Sequence, residues 1–477
     1  MKHVILGAGP AGVIAAETIR KHAPQDEIVI VGDEPEPPYS RMAIPYLLVG
    51  NIKERGTYLR KGGTHFSSLR IEIRLARATK VDTERRVVHL SDGSPLPYDR
   101  LLIATGAKPA RPPIPGIDSP GVHTCWTMAD ARAIMALATP GARVLQMGAG
   151  FIGCIIMEAL AARGVKLSVV EMGDRMVPRM MGPAAGGMIR AWCEKKGVEV
   201  HTGTRVEGIE LIPVPVAAAP VAAATPVAAA PAQPQGLLGK VVNFLSGGGS
   251  PAPAPAAPPA TAPAASAPAK GLRVRLGGGK TLDCDLVISA TGVKPAIDYL
   301  EGSGVTCLQG VLTDEHMATS AKDVYAAGDC AEALDLISGK PIISAIQPNA
   351  AEQARVAALN MVGQRTVLKG VTQINVLDTL GLISASFGDW NGVPGGQQAE
   401  LIDENENRVL SLQFDGDRLV GCNSVGWTEH VGVMRGLVEG QVSLGEWKDR
   451  LLADPTLLME AYLARAQSQE HWAGTRR

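Results

Sequence analysis

Short apolar runs alternate with glycine turns and helical patterns at the start of the chain. Residues 4–6 form the first apolar run, residues 11–22 follow a helical pattern, and residues 27–31 form a second, β-branched run. Brief runs of this kind, apolar on both faces, are typical of strands buried in a parallel sheet. The pattern predicts a strand–turn–helix–strand unit of an α/β fold.

The same order of elements returns further along the chain. Residues 144–147 predict a strand, a glycine turn and a helix follow as far as Arg163, and residues 167–170 predict the next strand. Residues 285–289 predict one more apolar strand. A repeat of this length is far longer than the unit of a solenoid, so the sequence indicates an internal duplication of one α/β design.

A glycine-rich turn follows the first predicted strand directly. In the pattern G-x-G-x-x-G the first glycine makes a tight turn, the second lets the backbone approach a pyrophosphate, and the third lets the helix pack closely. An acidic residue about 20 positions further on binds a ribose hydroxyl; Asp33 and Glu34 both qualify, with Asp33 preferred. Taken alone, the motif is also compatible with a glycine turn that binds nothing. Its residues are Gly7, Ala8, Gly9, Pro10, Ala11 and Gly12.

A second turn of the same pattern follows the strand at residues 144–147. Glu171 ends the next predicted strand, and a carboxylate there favours NADH over NADPH because it would repel a 2′-phosphate. Arg175 lies close enough in sequence to keep NADPH open. Two such motifs, each between a strand and a helix, predict two dinucleotide sites. The second motif consists of Gly148, Ala149, Gly150, Phe151, Ile152 and Gly153.

Three further segments complete a pattern that resembles a known family. Ala104, Thr105 and Gly106 end one predicted strand, Ala290 to Gly292 end another, and residues 324–329 read Val-Tyr-Ala-Ala-Gly-Asp. In this order the motifs resemble the pyridine nucleotide-disulfide oxidoreductase superfamily, whose flavoprotein reductases have two dinucleotide-binding domains. The resemblance implies FAD in the first domain and NAD(H) in the second. It implies no catalytic side chain, because the flavin carries the chemistry.

The resemblance also implies roles for individual residues. Gly328 and Asp329 would lie at the flavin, with the Asp329 carboxylate accepting a hydrogen bond from a ribityl hydroxyl. The alternative role for Asp329 is the N-cap of a helix that starts at Cys330. Arg41 is carried over as a flavin contact, against the alternative of a surface salt bridge. Pro348 starts a helix that, in relatives, points its N-terminus at the flavin, where it would stabilise negative charge.

The cysteines indicate a branch of this superfamily. The seven cysteines form no C-x-x-C or C-x-x-x-x-C pair, so their spacing predicts no thiol redox pair, iron–sulfur cluster or zinc site. Disulfide reductases carry a redox cysteine after the second strand, whereas residues 37–47 contain none. The Tyr-Ser-Arg segment at residues 39–41 resembles instead the rubredoxin and ferredoxin reductase branch and the flavin module of NADH-dependent nitrite reductases. Thiol–disulfide catalysis at this position is thereby excluded.

These observations predict an FAD-dependent NAD(P)H oxidoreductase. Hydride would pass from NADH to the flavin, with NADP(H) the less expected coenzyme. Without a redox cysteine, the electrons would leave to an external acceptor, a redox partner protein such as a metalloprotein. Two alternatives remain open: a self-sufficient NADH oxidase or small-molecule reductase, and a tethered flavoprotein subunit of a larger complex.

The expected fold is α/β, with two Rossmann-like dinucleotide-binding domains, the second inserted in the first, and a small α+β C-terminal domain. Residues 213–270, rich in alanine and proline, interrupt a predicted hairpin and read as an extended linker. An amphipathic segment at residues 237–245 is a candidate for docking to a partner or a membrane surface; the alternative is a segment that lies on its own domain or is disordered. The expected boundaries are 1–115 and 312–350 for the FAD-binding domain, 116–212 and 271–311 for the NAD-binding domain, and 351–477 for a C-terminal interface domain.

Composition narrows the expected partners and location. A formal net charge of -1 leaves no broad basic face for nucleic acid. No apolar run reaches the roughly 18 residues of a membrane span, and scattered cysteines are typical of a reducing compartment. We therefore expect a cytoplasmic protein. By the resemblance, the C-terminal domain would mediate a homodimer.

Overall fold

A computed structural model of the chain describes residues 1–212 and 271–465. The predicted linker, with its 237–245 segment, and residues 466–477 lie outside the described residues. The described chain contains two five-stranded parallel sheets and one five-stranded antiparallel sheet, each with its own hydrophobic core, and several smaller sheets. None of the helices in the described ranges is long and apolar enough to cross a membrane.

The first domain is built on a five-stranded parallel sheet. The apolar runs of the sequence form its central strands because helices and loops cover both faces, and the side chains of Val4 and Ile5 are fully buried. The first glycine turn leaves the sheet at the carboxyl end of the central strand, which is the usual ligand-binding edge of such a sheet. In order across the sheet the strands are Val324–Ala326, Arg100–Ile103, Lys2–Leu6, Glu27–Gly32 and Ile71–Leu75.

Two alanine-rich helices pack against each other on this sheet. Pro10–His22 and Gln347–Met361 bury small side chains, including Ala15 and Ala354, and small residues allow a close approach of the two backbones. A separate antiparallel sheet of three consecutive strands forms a meander. Its strands are Ala78–Asp82, Val87–Leu90 and Pro95–Pro97. Further elements are the helices Ile44–Val49, Glu54–Thr57 and His65–Ser68, the strands Val311–Leu312, Ala331–Leu334 and Pro341–Ile343, and the antiparallel pair Ala107–Pro109 and Val293–Pro295.

The second domain repeats the plan of the first, as the duplication predicts. Its five parallel strands again place a glycine turn at the carboxyl end of the central strand. Thr127 and Asp130 form a capping box at the start of its first helix. In order across the sheet the strands are Glu199–His201, Lys166–Val170, Arg143–Met147, Leu286–Ser289 and Val122–His123, and the helices are Met128–Leu137, Phe151–Ala162 and Pro183–Lys195.

The predicted hairpin lies at the margin of the undescribed linker. Val206–Leu211 pairs antiparallel with Leu272–Leu276, and Thr281–Cys284 adds a third strand. Leu211 and Leu272 are cross-strand partners. The chain therefore leaves and re-enters the domain at neighbouring points, so a long insertion there need not disturb the strand pairing.

The third domain is an antiparallel sheet covered by helices on one side. The sequence analysis places its start at residue 351, but the helix Gln347–Met361 and Val371 belong to the hydrophobic core of the first domain. The third domain therefore begins after residue 371. Its strands, in order across the sheet, are Ile374–Thr379, Leu382–Gly388, Arg418–Val425, Arg408–Asp415 and Gln397–Asp403, and its helices are Val431–Glu439, Trp447–Ala453 and Leu458–Arg465.

Candidate functional site

The first glycine turn has two glycines that packing requires and one that faces open space. A β-carbon on Gly7, whose φ is +115°, would lie 2.1 Å from the carbonyl oxygen of Ala104. A β-carbon on Gly12 would lie 1.9 Å from the carbonyl oxygen of Gly7. A β-carbon on Gly9 would meet nothing within 4 Å. The turn thus leaves room beside Gly9. The helix that starts there carries no acidic residue in its first turn. A pyrophosphate could therefore bind beside Gly9, at the N-terminus of this helix.

The second glycine turn has the same construction. A β-carbon on Gly148 would lie 2.4 Å from the carbonyl oxygen of Ala290, and one on Gly153 would lie 2.5 Å from that of Gly148. Gly150 again faces open space. The helix Phe151–Ala162 starts here, also without an acidic residue in its first turn. The residues present fit a second dinucleotide, as the sequence predicts.

The Ala104–Gly106 segment, Gly328 and Pro348 meet at the edge of the first sheet. A β-carbon on Gly328 would lie 3.4 Å from the side chain of Ala11 and 3.6 Å from that of Ala350, so Gly328 sits between the starts of two helices. Its N–H donates to Oε1 of Gln353 over 2.7 Å. Gln353 is fully buried, and no motif in the sequence marks it. Gly328 is thus tied to the helix that contains Pro348 by a residue that sequence reasoning missed.

Asp33 and Glu34 make very different contacts. The carboxylate of Asp33 pairs with Arg77 at 3.0 Å in an exposed position. Glu34 accepts hydrogen bonds from the Tyr39 hydroxyl and from Arg41, both at 2.6 Å. Arg41 is therefore ion-paired, as one of the two alternatives anticipated, although the pair is half-buried rather than fully exposed.

Arg41 also connects the first domain to the chain that enters the second. Its Nη1 donates to the Trp126 carbonyl oxygen over 2.6 Å, and its guanidinium lies 5.2 Å from the centre of the Trp126 ring. Burial raises the pKa of Asp329, and the positive charge of Arg41 opposes that rise. Arg41 is thus within electrostatic reach of Asp329. The alternative role of Asp329 as a helix N-cap is wrong, because a turn and the strand Ala331–Leu334 follow it.

Glu171 lies at the carboxyl end of its strand and contacts the second glycine turn. Its Oε2 accepts a hydrogen bond from the Ala149 N–H at 2.8 Å, and its Oε1 accepts one from the Gly173 N–H at 2.7 Å. Arg175, the residue that kept NADPH open in the sequence, lies in the loop that follows Glu171. Its guanidinium donates to the Met181 carbonyl oxygen and to Asp174, so it is held within its own loop rather than facing a 2′-phosphate at Glu171.

A small cleft opens beside the second glycine turn. Apolar and aromatic side chains form most of its wall, while Ser289 and Thr124 contribute hydroxyl groups. The residues of the wall include Cys125, Trp126, Ile152, Ile156, Ala290 and Gly292.

Comparison with known proteins identifies the family. Residues 1–216 and 260–358 match the sequence profile described as pyridine nucleotide-disulphide oxidoreductase. The chain belongs to this family. Family membership confirms the predicted α/β fold and the predicted class of enzyme, an FAD-dependent NAD(P)H oxidoreductase with FAD and NAD(H) as its cofactors.

Individual proteins are similar to this chain over most of its length. The NADH-dependent phenylglyoxylate dehydrogenase subunit epsilon of Aromatoleum evansii is 30% identical over 458 residues, which cover 95% of each chain. The biphenyl dioxygenase system ferredoxin–NAD(+) reductase component of Paraburkholderia xenovorans is 28% identical, over 76% of this chain and 74% of that protein. A putidaredoxin reductase, solved in covalent complex with putidaredoxin, shares the fold with a TM-score of 0.80 at 21% identity, covering 98% of this chain and 99% of that one.

Burial disfavours the thiolate form of the cysteines in this family member. Burial raises the pKa of every cysteine, to about 12 for Cys125, Cys193 and Cys284 and to about 11 for Cys330. All seven are free, and five are buried. A thiol rather than a thiolate is a poor nucleophile, so none of them is prepared for disulfide exchange. The other three cysteines with a raised pKa are Cys154, Cys307 and Cys422.

Proposed function

We propose that this protein is the NADH-linked flavoprotein of an electron-transfer system, and that its electron acceptor is a separate redox protein with a metal centre. The observation that carries the proposal is the state of the thiols: all seven cysteines are free, and burial raises the pKa of each. Bound FAD supplies hydride acceptance from NADH and onward release of electrons. Because no sulfur in the chain is prepared to receive those electrons, they pass to another molecule.

The first domain is proposed to hold FAD. The backbone N–H groups at Gly9 bind the pyrophosphate, and Asp33 exchanges its exposed partner Arg77 for a ribose hydroxyl. Asp329 accepts a hydrogen bond from the ribityl chain, with Arg41 nearby. The N-terminus of the Gln347–Met361 helix supplies positive potential to the flavin. The second domain is proposed to hold NADH, through the Gly150 turn and the carboxylate of Glu171.

The relatives of this chain support a protein acceptor. One relative is named as a ferredoxin–NAD(+) reductase component, and one structural neighbour is a putidaredoxin reductase in complex with putidaredoxin. A third is named as a subunit of an NADH-dependent dehydrogenase and matches this chain nearly end to end. That match favours a flavoprotein subunit in a larger assembly, with the redox partner as a fellow subunit. A homodimer and docking through residues 237–245 remain separate proposals.

An anaerobic titration with NADH followed by an acceptor screen tests the proposal. The purified, FAD-loaded chain is expected to lose its flavin absorbance on addition of NADH and to turn over slowly with oxygen alone. Addition of a ferredoxin or a rubredoxin should raise NADH consumption by at least about tenfold. Fast NADH consumption with oxygen as the sole acceptor would instead support an oxidase, the activity named for a relative in Methanocaldococcus jannaschii that is 29% identical over 76% of this chain.

A further inference from the structure

A loop at residues 174–182 borders the second glycine turn. It runs from just beyond Glu171 to the start of the helix Pro183–Lys195. The Val177 N–H donates to the Ala149 carbonyl oxygen over 2.9 Å, which ties the loop directly to the glycine turn. Any displacement of this loop therefore moves one wall of the proposed NADH site.

The far end of the loop is held by a residue of the third domain. Nδ2 of Asn423 donates to the Met180 carbonyl oxygen over 2.9 Å, and Oδ1 of Asn423 accepts from the Gly182 N–H over 2.8 Å. The side chain is 1% exposed. A buried amide that satisfies one acceptor and one donor on the same loop fixes the path of the backbone, because moving the loop would leave polar groups unpaired.

The residue next to this contact points toward the nucleotide side of the loop. Nη1 of Arg179 lies 4.0 Å from the position of a β-carbon on Gly292, a residue of the cleft wall. The side chain is exposed and has no hydrogen bond or ion pair within residues 1–212 and 271–465. The contact from Asn423 to Met180 thus holds the backbone next to Arg179, whose guanidinium lies beside the cleft wall.

We propose that Asn423 is a positioning residue for the pyridine dinucleotide, so that the third domain contributes to NADH binding without touching the coenzyme. The proposal rests on the proposed function, because it assigns NADH to the second domain. With the amide removed, the loop samples positions that do not bind, and the apparent dissociation constant rises as the binding-competent fraction falls. The hydride-transfer geometry is restored once NADH is bound, so kcat changes little.

Two variants of Asn423 and a matched control test this role in the FAD-loaded full chain. Asn423→Leu removes both hydrogen bonds, and Asn423→Asp keeps the acceptor for Gly182 but loses the donor to Met180. The control Trp192→Phe removes a different hydrogen bond between the second and third domains, from Nε1 to the Leu380 carbonyl oxygen at 3.2 Å. It lies away from the 174–182 loop, so it reports the general effect of weakening this domain contact.

The readouts are the NADH dissociation constant by calorimetry without acceptor, the KM and kcat with a dye acceptor, and hydrogen exchange of the Gly182 amide. For Asn423→Leu we expect both the dissociation constant and KM to rise roughly tenfold, with kcat within about twofold of the parent and faster exchange at Gly182. Asn423→Asp should raise both constants at least as much as Asn423→Leu, because a buried carboxylate oxygen would face the Met180 carbonyl oxygen. It is the second variant if Asn423→Leu fails to fold. Trp192→Phe should leave NADH binding unchanged.

An equal effect of Asn423→Leu and Trp192→Phe on NADH binding would overturn the proposal, as would unchanged binding in both Asn423 variants. The parent protein separates this outcome from a failure of the proposed function. If the parent binds FAD but no NADH, the assignment of the second domain is at fault. If the parent binds NADH and the variants bind it equally well, only the role of Asn423 is refuted.

Discussion

Arg41 donates a 2.6 Å hydrogen bond from Nη2 to Oε1 of Glu34, at the end of the second strand of the first domain. Glu34 is thus engaged in a half-buried ion pair, whereas Asp33 has one exposed ion pair. An exposed ion pair contributes little to stability, so Asp33 can readily exchange its partner for another one. The contrast supports Asp33 as the residue that meets the FAD ribose and Glu34 as the residue that orients Arg41.

Asp33→Asn and Glu34→Gln should therefore behave differently. We expect Asp33→Asn to weaken FAD binding roughly tenfold while leaving the melting temperature of the FAD-free protein unchanged. Glu34→Gln should lower the free energy of unfolding of that FAD-free protein by about 1 kcal/mol, because Arg41 loses its charged partner. Flavin fluorescence titration and thermal melts measure both quantities. If Glu34→Gln lost more FAD affinity than Asp33→Asn, Glu34 rather than Asp33 would be the residue that meets the ribose.

Substitutions in the first glycine turn should separate ligand binding from folding. Gly9→Ala adds a methyl group that meets no protein atom within 4 Å, so FAD affinity should fall at least about tenfold with little loss of stability. Gly12→Ala places a methyl group against the Gly7 carbonyl oxygen, so it should destabilise the chain itself by about 2 kcal/mol or more. Denaturant unfolding of the FAD-free variants gives the comparison. If Gly9→Ala binds FAD like the parent, no pyrophosphate lies beside Gly9.

Glu171→Gln tests the choice of coenzyme. Replacing the carboxylate removes the charge that would repel a 2′-phosphate, so the ratio of kcat/KM for NADH to that for NADPH should fall by roughly tenfold. Arg175 is engaged within its loop, so we do not expect the variant to prefer NADPH. Steady-state kinetics with a dye acceptor measure the ratio. An unchanged ratio would show that Glu171 does not face the adenosine ribose.

His3 should make the folded state sensitive to mild acid. Burial lowers the pKa of His3 below 6.5, with Asp26 opposing. Its Nε2 donates to Asp26, and the side chain is fully buried. His3 therefore binds a proton more tightly in the unfolded chain than in the folded chain. Its contribution to the free energy of unfolding is fully present above the unfolded-state pKa and is lost as the pH falls from there through the folded-state pKa.

The test is urea unfolding across roughly pH 5 to 8. In His3→Gln the free energy of unfolding should depend less on pH than in the parent over this interval. His89→Gln, on an exposed position of the meander, is the matched control and should retain the parental slope. If the free energy of unfolding depended on pH equally in the parent and in His3→Gln, His3 would not be the cause of the acid sensitivity.

Local patterns predicted most of the dinucleotide-binding fold. Buried strands such as Lys2–Leu6, and glycine turns such as that at Gly148, are determined by neighbouring residues, so they are visible in a single sequence. The same holds for the hairpin on either side of the linker. The boundary at the end of the first domain is not predictable from local patterns. The helix Gln347–Met361 belongs to this domain because it packs against Pro10–His22. No periodicity reports a partner more than 300 residues away.

The supporting contacts of the site could not be predicted for the same reason. The bonds from Asn423 to the 174–182 loop join residues far apart in sequence, and the bond from Gly328 to Gln353 joins a loop to a separate helix. Asparagine and glutamine are common on surfaces, so neither residue stands out without a fold. Likewise, the pairing of Arg41 with Glu34 depends on the conformation of the turn between them, which the Tyr-Ser-Arg segment alone does not determine.

The burial of the cysteines has a consequence for the resistance of this protein to oxidation during turnover. Flavoproteins that meet oxygen are exposed to peroxide, which converts thiolates, rather than thiols, to sulfenic acid. With the pKa of each thiol raised, the chain offers peroxide little to oxidise. We expect a full count of reactive sulfhydryls, assayed after denaturation, to survive prolonged aerobic turnover without added reductant.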